Sequence, residues 1–185
     1  MRHNNPPQVH SVVAILLAFI LLGSFSSSAF AQVGKGDASF TASNLVKIAG
    51  MEKHLAKAGK EISVYVINDP ALASVLQGMV GQAVGEGKLA TVKSGRTIPT
   101  ERPDIIYIGN PDDFLFNPTM MKSFLDYTKE NKILSVTHEA MLIYKGVALG
   151  IASQEGNPKF YLNLQASKDS GMDWNKAVIK LAETI

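Results

Sequence analysis

The sequence predicts an α/β domain built on a mixed, mostly parallel sheet, and three observations predict it. Short β-rich runs recur, at residues 62–67 (ISVYVI), 88–93 (KLATVK), 104–108 (DIIYI) and 132–136 (KILSV). Segments with apolar residues three and four apart lie between several of them. Two further runs, 146–152 and 159–164, flank a tight Gln154-Glu155-Gly156-Asn157 turn, which is a hairpin signature. Strands separated by helices imply parallel pairing with right-handed crossovers, and the hairpin adds an antiparallel edge. The expectation is a single-domain α/β sandwich: helices flank the sheet, and a closing helix follows the hairpin.

The first 31 residues stand apart from this pattern. Arg2 and His3 make a weakly positive start, residues 12–22 (VVAILLAFILL) are apolar, and Ala29-Phe30-Ala31 supplies small residues at an A-x-A exit. That order is the signature of a cleavable export signal, with cleavage expected between Ala31 and Gln32. The apolar run is short beside the roughly 20 residues a spanning helix needs. Without a Cys there is no acylation site for a lipoprotein. The expected compartment is the periplasm, and no membrane insertion is expected after cleavage.

Removing residues 1–31 from 185 leaves 154, enough for one domain with its own core. One Arg and no acid leave with the signal, so Lys+Arg falls from 18 to 17 against 16 Asp+Glu. That near-zero balance gives no electrostatic case for nucleic acid or anionic lipid. Zero Cys excludes disulfides and thiolate chemistry. With only His54 and His138 left in the mature chain, no metal or other cofactor is expected.

The mature elements follow in order. Residues 32–40 are small and polar and read as a flexible leader, with the folded domain expected over 41–185. Leu45, Ile48, Met51 and Leu55 share one helical face, with Thr41 or Ser43 as cap and Gly59 as stop. After the 62–67 strand, Asp69 suits an N-cap and Pro70 the first helical position. Leu72, Val75, Leu76, Met79 and Val80 line that helix's inner face. Gly78, Gly81, Gly85 and Gly87 loosen the chain before the 88–93 strand, and 97–103 reads as a loop. A helix over 118–129 points Met121, Phe124, Leu125 and Thr128 inward. Asp173 can cap the last helix, with Trp174, Val178 and Leu181 on one face.

Parallel strands place their following loops on one sheet edge, where ligands of such folds usually sit. Those loops carry Asn68-Asp69, Asn110-Pro111-Asp112-Asp113 and Thr137-His138-Glu139. The candidate ligand-binding residues are Asn68, Asp69, Asn110 and His138, although Asn, Asp and Thr also serve simply as turn and cap formers. His138-Glu139 with Asp112 or Asp113 offers a conceivable acid/base pair, but no spacing marks it as a catalytic motif. No G-x-S-x-G, H-E-x-x-H or Walker loop is present, and no catalytic residue is assigned. Phe114, Leu115 and Phe116, apolar in a strand-to-helix loop, are the candidate partner-binding residues.

The C-terminal third carries a resemblance. Gly146-Val147-Ala148-Leu149-Gly150-Ile151 gives a glycine-bearing strand, and Phe160-Tyr161-Leu162-Asn163 is similar to an "F-x-I-N" pattern, with Leu162 in the Ile place. Ala166, Gly171-Met172 and a closing helix through Leu181-Ala182 follow. Upstream, residues 63–69 and 104–108 look like two further family strands. In these strings the chain resembles the YfiR family, small periplasmic proteins of Gram-negative bacteria. It departs from the family where Lys53-His54-Leu55-Ala56 replaces a Trp-Pro helix end, and in having no cysteines that could pair.

The resemblance implies regulation by binding rather than catalysis. It implies a repressor that holds the periplasmic sensor domain of an inner-membrane signalling protein, a diguanylate cyclase in the best-known members. Cyclic di-GMP synthesis and biofilm formation are thereby restrained. A homodimer stays open. The alternative is a small-ligand receptor built on a single α/β lobe.

Overall fold

The computed structural model describes residues 33–110 and 117–185. The expected signal peptide therefore lies outside the described residues, as do Asp112, Asp113, Phe114, Leu115 and Phe116. In chain order the strands are β1 (Val33–Gly34), β2 (Glu61–Ile67), β3 (Ala83–Val84), β4 (Gly87–Gly95), β5 (Ile105–Ile108), β6 (Leu134–Thr137), β7 (Leu149–Gln154), β8 (Asn157–Leu162) and β9 (Glu183–Thr184). The helices are α1 (Ala38–Ala49), α2 (Pro70–Gly78), α3 (Pro118–Glu130), α4 (Ala140–Tyr144), α5 (Leu164–Asp169) and α6 (Lys176–Leu181).

The strands form one sheet in the order β3-β4-β2-β5-β6-β7-β8-β9, with β1 antiparallel to β7. β4, β2, β5, β6 and β7 run parallel; β3 runs against β4, and β8, with β9 parallel to it, runs against β7. The expected fold class is the observed one, a mostly parallel mixed sheet between helices. The central strands are apolar on both faces because both faces are covered: all four residues of β5 are buried. One core gathers Leu45, Ile48, Leu72, Leu76, Tyr107, Trp174 and Val178 beneath α1, α2 and α6. The other gathers Ile67, Ile106, Ile108, Met121, Phe124 and Leu142 beneath α3 and α4.

Sequence and structure differ at several element ends, each for a local reason. Residues 33–40 are not a loose leader: Val33 and Gly34 pair with Gln154 and Ser153, and α1 is already under way at Ala38. Asp37, rather than Thr41 or Ser43, caps α1 by accepting from the Phe40 N–H at 2.7 Å. That helix stops at Gly50, not Gly59, where a Cβ on Gly50 would lie 2.6 Å from the Gly85 nitrogen. The chain turns there, and Met51 and Leu55 reach the core from turns. Val80 falls beyond the end of α2 and is 49% exposed, not inward.

The glycine-rich stretch hides a small hairpin, β3 against β4, turned through Gly85 at φ +61. A Cβ on Gly85 would meet Ala56 at 2.5 Å, so only glycine fits that crossing. The β7–β8 turn has φ 52 at Glu155 and 79 at Gly156, the primed geometry that matches strand twist. β6 begins at Leu134, because Lys132 ends α3 in the left-handed region with φ 55. Asn175 caps the last helix in place of Asp173, whose carboxylate pairs with Lys53 at 2.8 Å.

Among the described residues, one carboxylate that the sequence does not flag is fully buried. Glu52, at 0% exposure, accepts from the backbone N–H groups of His54 and Leu55 at 2.8 Å each and of Asp173 at 2.7 Å. Its Oε1 also lies 3.1 Å from His54 Nδ1. One side chain thus ties the turn after α1 to the segment that leads into α6.

Candidate functional site at the carboxyl edge of the sheet

α2, which follows β2, packs on one face of the sheet, and α3, which follows β5, packs on the other. β2 and β5 are parallel neighbours. Their following connections therefore diverge, and a crevice opens where strand connections part in this way. Asn68 and Asp69 leave β2 at this point, and Gly109 and Asn110 leave β5. The two turns touch closely: a Cβ on Gly109 would lie 2.6 Å from Asp69 Cβ and 2.7 Å from the Asn68 carbonyl oxygen. Asn68 takes φ 54, which Asn tolerates better than most residues.

Asp69 caps α2 as its sequence position predicts. Its Oδ1 accepts from the Leu72 N–H at 3.0 Å, and its Oδ2 accepts from Lys35 Nζ at 2.7 Å. The Asp69 side chain is only 4% exposed, so the Lys35 ammonium offsets a charge that burial would otherwise penalise. Lys35 arrives there because β1 anchors the preceding residues on β7. Nothing in the small polar string around Lys35 signals this contact, which depends on strand pairing across the whole sheet.

His138 leaves β6 on the same edge, with its side chain 5% exposed. Its Nδ1 lies 3.0 Å from the Tyr107 hydroxyl and its Nε2 3.1 Å from Glu139 Oε1. An ionised Glu139 can only accept, so Nε2 carries the proton and Tyr107 O–H donates to Nδ1. The two rings lie nearly parallel, with centroids 6.3 Å apart. Burial holds the imidazole below its ordinary value; the Glu139 and Asp69 charges oppose this and Lys35 reinforces it. Burial, and the charges of Asp69 and Glu139, push the Tyr107 hydroxyl well above the usual phenol range.

The structure brings three of the four candidate ligand residues together. Asn68, Asp69 and Asn110 line a cleft of about 370 Å³ with Ser94 and Arg96. His138 is not on its wall; both ring nitrogens are engaged in the buried Tyr107–His138–Glu139 chain. With Nε2 donating to Glu139 and Nδ1 accepting from Tyr107, the imidazole is held in one tautomer and one orientation. Among the described residues, no three His, Asp or Glu gather as metal ligands.

A larger cleft, about 470 Å³, lies where the β4-to-β5 connection crosses the sheet as a loop without a helix. Tyr65, Thr91 and Ile98 line it, with Lys93 and Glu101 paired at 2.6 Å on its rim. The exposed polar residues of β4 are explained by that gap in the cover. Among the described residues no helix is long and apolar enough to cross a membrane.

Comparison with known proteins places this geometry. A family profile described as DUF4154, YfiR/HmsC-like, matches residues 40–183. No curated protein matches. A crystal structure of a conserved domain protein from Vibrio cholerae O1 biovar El Tor is similar, with a TM-score of 0.51 at 13% identity over 81% of this chain and 60% of that one. An ABC domain from Streptococcus pneumonia in complex with L-Trp reaches a TM-score of 0.46 at 10% identity, over 75% of this chain and 60% of that one. The first likeness concerns the fold alone, and the second is too slight to argue from. The chain spans three fifths of each of those solved chains.

Proposed function

The chain belongs to the YfiR/HmsC-like family, and from that premise we propose that it is a periplasmic regulatory protein that acts by binding. In this reading the export signal is cleaved after Ala31. The mature domain then holds the periplasmic sensor domain of an inner-membrane diguanylate cyclase and restrains cyclic di-GMP synthesis. The family match over residues 40–183 carries the proposal, because proteins of this family are periplasmic regulators rather than enzymes. The Tyr107–His138–Glu139 chain, buried and off the wall of the Asn68–Asp69–Asn110 cleft, fits a part in holding the fold.

Phe114, Leu115 and Phe116 are the residues assigned to the partner surface, on sequence grounds: an aromatic-rich loop has little to gain from water. Retention on tagged mature protein, from solubilised membranes of cells that carry its gene, tests this. The expected result is one membrane protein with a periplasmic sensor domain, lost when Phe114→Ala and Phe116→Ala are combined. Retention that survives both substitutions moves the surface elsewhere, and no retained sensor protein removes the repressor reading.

The second reading, a single-lobe receptor for a small ligand, is favoured by one observation: the cleft at Asn68, Asp69 and Asn110 sits where the strand connections diverge. A melting-temperature screen of small solutes separates the two readings, with Asn110→Ala as the check that any shift arises in that cleft.

A further inference from the structure

At the opposite edge of the sheet, the amino ends of β2, β5 and β6 surround a second concavity of about 380 Å³. Its walls include His54, Lys60, Arg102, Asp104, Lys132 and Met172. Three of these side chains are basic and one is a carboxylate. That carboxylate is fully used: Asp104 accepts from Lys60 Nζ at 2.6 Å, and from the Ser63 N–H and hydroxyl at 2.9 and 2.8 Å. Lys60 is thereby neutralised. Arg102 has no hydrogen-bond or ion-pair partner among the described residues. Lys132 Nζ meets the Asp169 carbonyl oxygen at 3.2 Å and, together with Lys129, acts on the Asp169 carboxylate, so two cations share that one anion. One positive charge at Arg102 and one in excess at the Lys129–Lys132–Asp169 group therefore border one concave surface, in a domain whose charges otherwise nearly balance, and a concave wall concentrates their field.

The backbone gives an independent reason to single out Lys132. It occupies the left-handed position just past the end of α3, with φ 55, where glycine or asparagine is the usual choice. Its aliphatic stem crosses Gly171, itself at φ 72, where a Cβ would come within 2.9 Å of Lys132 Cδ. A strained lysine laid over a glycine gap, with its ammonium at a cleft, points to a use for that ammonium beyond folding.

We propose that this cleft binds a phosphate group, with Arg102 and Lys132 as its two cationic donors. The guanidinium supplies paired N–H donors and the ammonium a point charge, a combination suited to a dianion with several acceptor oxygens. Leu55 and Met172 offer an apolar wall for the remainder of a phosphomonoester. A free metabolite and an anionic lipid headgroup carry the same group. The site is independent of the partner surface proposed above and stands or falls separately.

Calorimetric titration of the mature protein with inorganic phosphate, and co-sedimentation with phosphatidylglycerol vesicles against phosphatidylcholine vesicles, test the proposal. Arg102→Ala and Lys132→Gly are each expected to weaken binding by about tenfold, the loss of one charge-assisted contact. Lys132→Gly is also expected to keep or raise the melting temperature, because glycine relieves the backbone. Lys176→Ala, on an exposed helix, serves as the control and leaves binding unchanged. Phosphate binding lost in both variants identifies a soluble ligand, and vesicle binding lost in both without phosphate binding identifies a headgroup; either supports the site. No binding to either probe, or an equal loss in Lys176→Ala, overturns it.

Discussion

Replacing Glu52 by Gln tests the packing account at the point where it is most exposed to error. The substitution keeps the shape of a side chain that is 0% exposed, but turns one acceptor oxygen into a donor. Glu52 Oε2 meets two backbone N–H groups and Oε1 meets one, together with His54 Nδ1. Glutamine fits best with its NH₂ at the Oε1 position, where it can donate to His54 but faces the Asp173 N–H donor to donor. One buried N–H is then unmet, at about 1–3 kcal/mol, and the remaining bonds lose the carboxylate's charge, worth about 1 kcal/mol more. The expected loss is about 3 kcal/mol, read as a fall in the urea midpoint at constant slope. For a domain of this size that corresponds to a melting temperature lower by about 6–12 °C. Glu52→Ala strands three N–H groups and costs more, about 5 kcal/mol. A loss below about 1 kcal/mol in Glu52→Gln would refute the reasoning, since this network would then not be holding the α1 turn to the 172–175 segment.

Three other perturbations read different parts of the molecule. Because folding lowers the affinity of His138 for a proton, stability is full above its unfolded value of about 6.5 and declines as pH falls through and below it; His138→Gln should flatten that part of the urea-midpoint profile, and an unchanged profile contradicts the assignment. Burial pushes the Asp104 carboxyl up, but the Lys60 and Ser63 hydrogen bonds outweigh it and hold it below its ordinary value. Its stabilisation is therefore present above the unfolded value of about 3.9 and lost as pH drops through the folded one, so Asp104→Asn should shallow the acid unfolding limb. Gly109→Ala places a methyl group 2.6 Å from Asp69 Cβ and should cost about 1–3 kcal/mol by calorimetry, whereas Gly59→Ala meets no neighbour and bears only the strain of φ +71.

What the sequence disclosed and what it concealed follow from the range of the interactions. Asp69-Pro70 announces a helix start because capping is satisfied within four residues, and the cap is found there. The 104–108 run announces a buried strand because both sheet faces are covered over it. Element ends set by distant contacts are not legible: α1 ends at Gly50, which packs so closely on Gly85, more than thirty residues away, that a Cβ has no room. The hairpin β3–β4 was hidden because glycines carry no period, and α4 and α5 because five or six residues are too few to show one. Sheet topology alone was enough to group Asn68, Asp69 and Asn110, since they follow adjacent parallel strands. No local pattern marks Lys35 or Tyr107, because the Asp69–Lys35 pair and the Tyr107–His138 bond join residues 34 and 31 positions apart. The same holds for Glu52, whose decisive partner is Asp173.

The most direct test of the central claim is the cyclic di-GMP content of cells that lack this protein, with and without the full chain restored. The account predicts a rise on deletion, reversal by the wild-type chain, and no reversal by the chain carrying Phe114→Ala and Phe116→Ala. Unchanged cyclic di-GMP on deletion, with the exported protein demonstrably present in the parent cells, would contradict it.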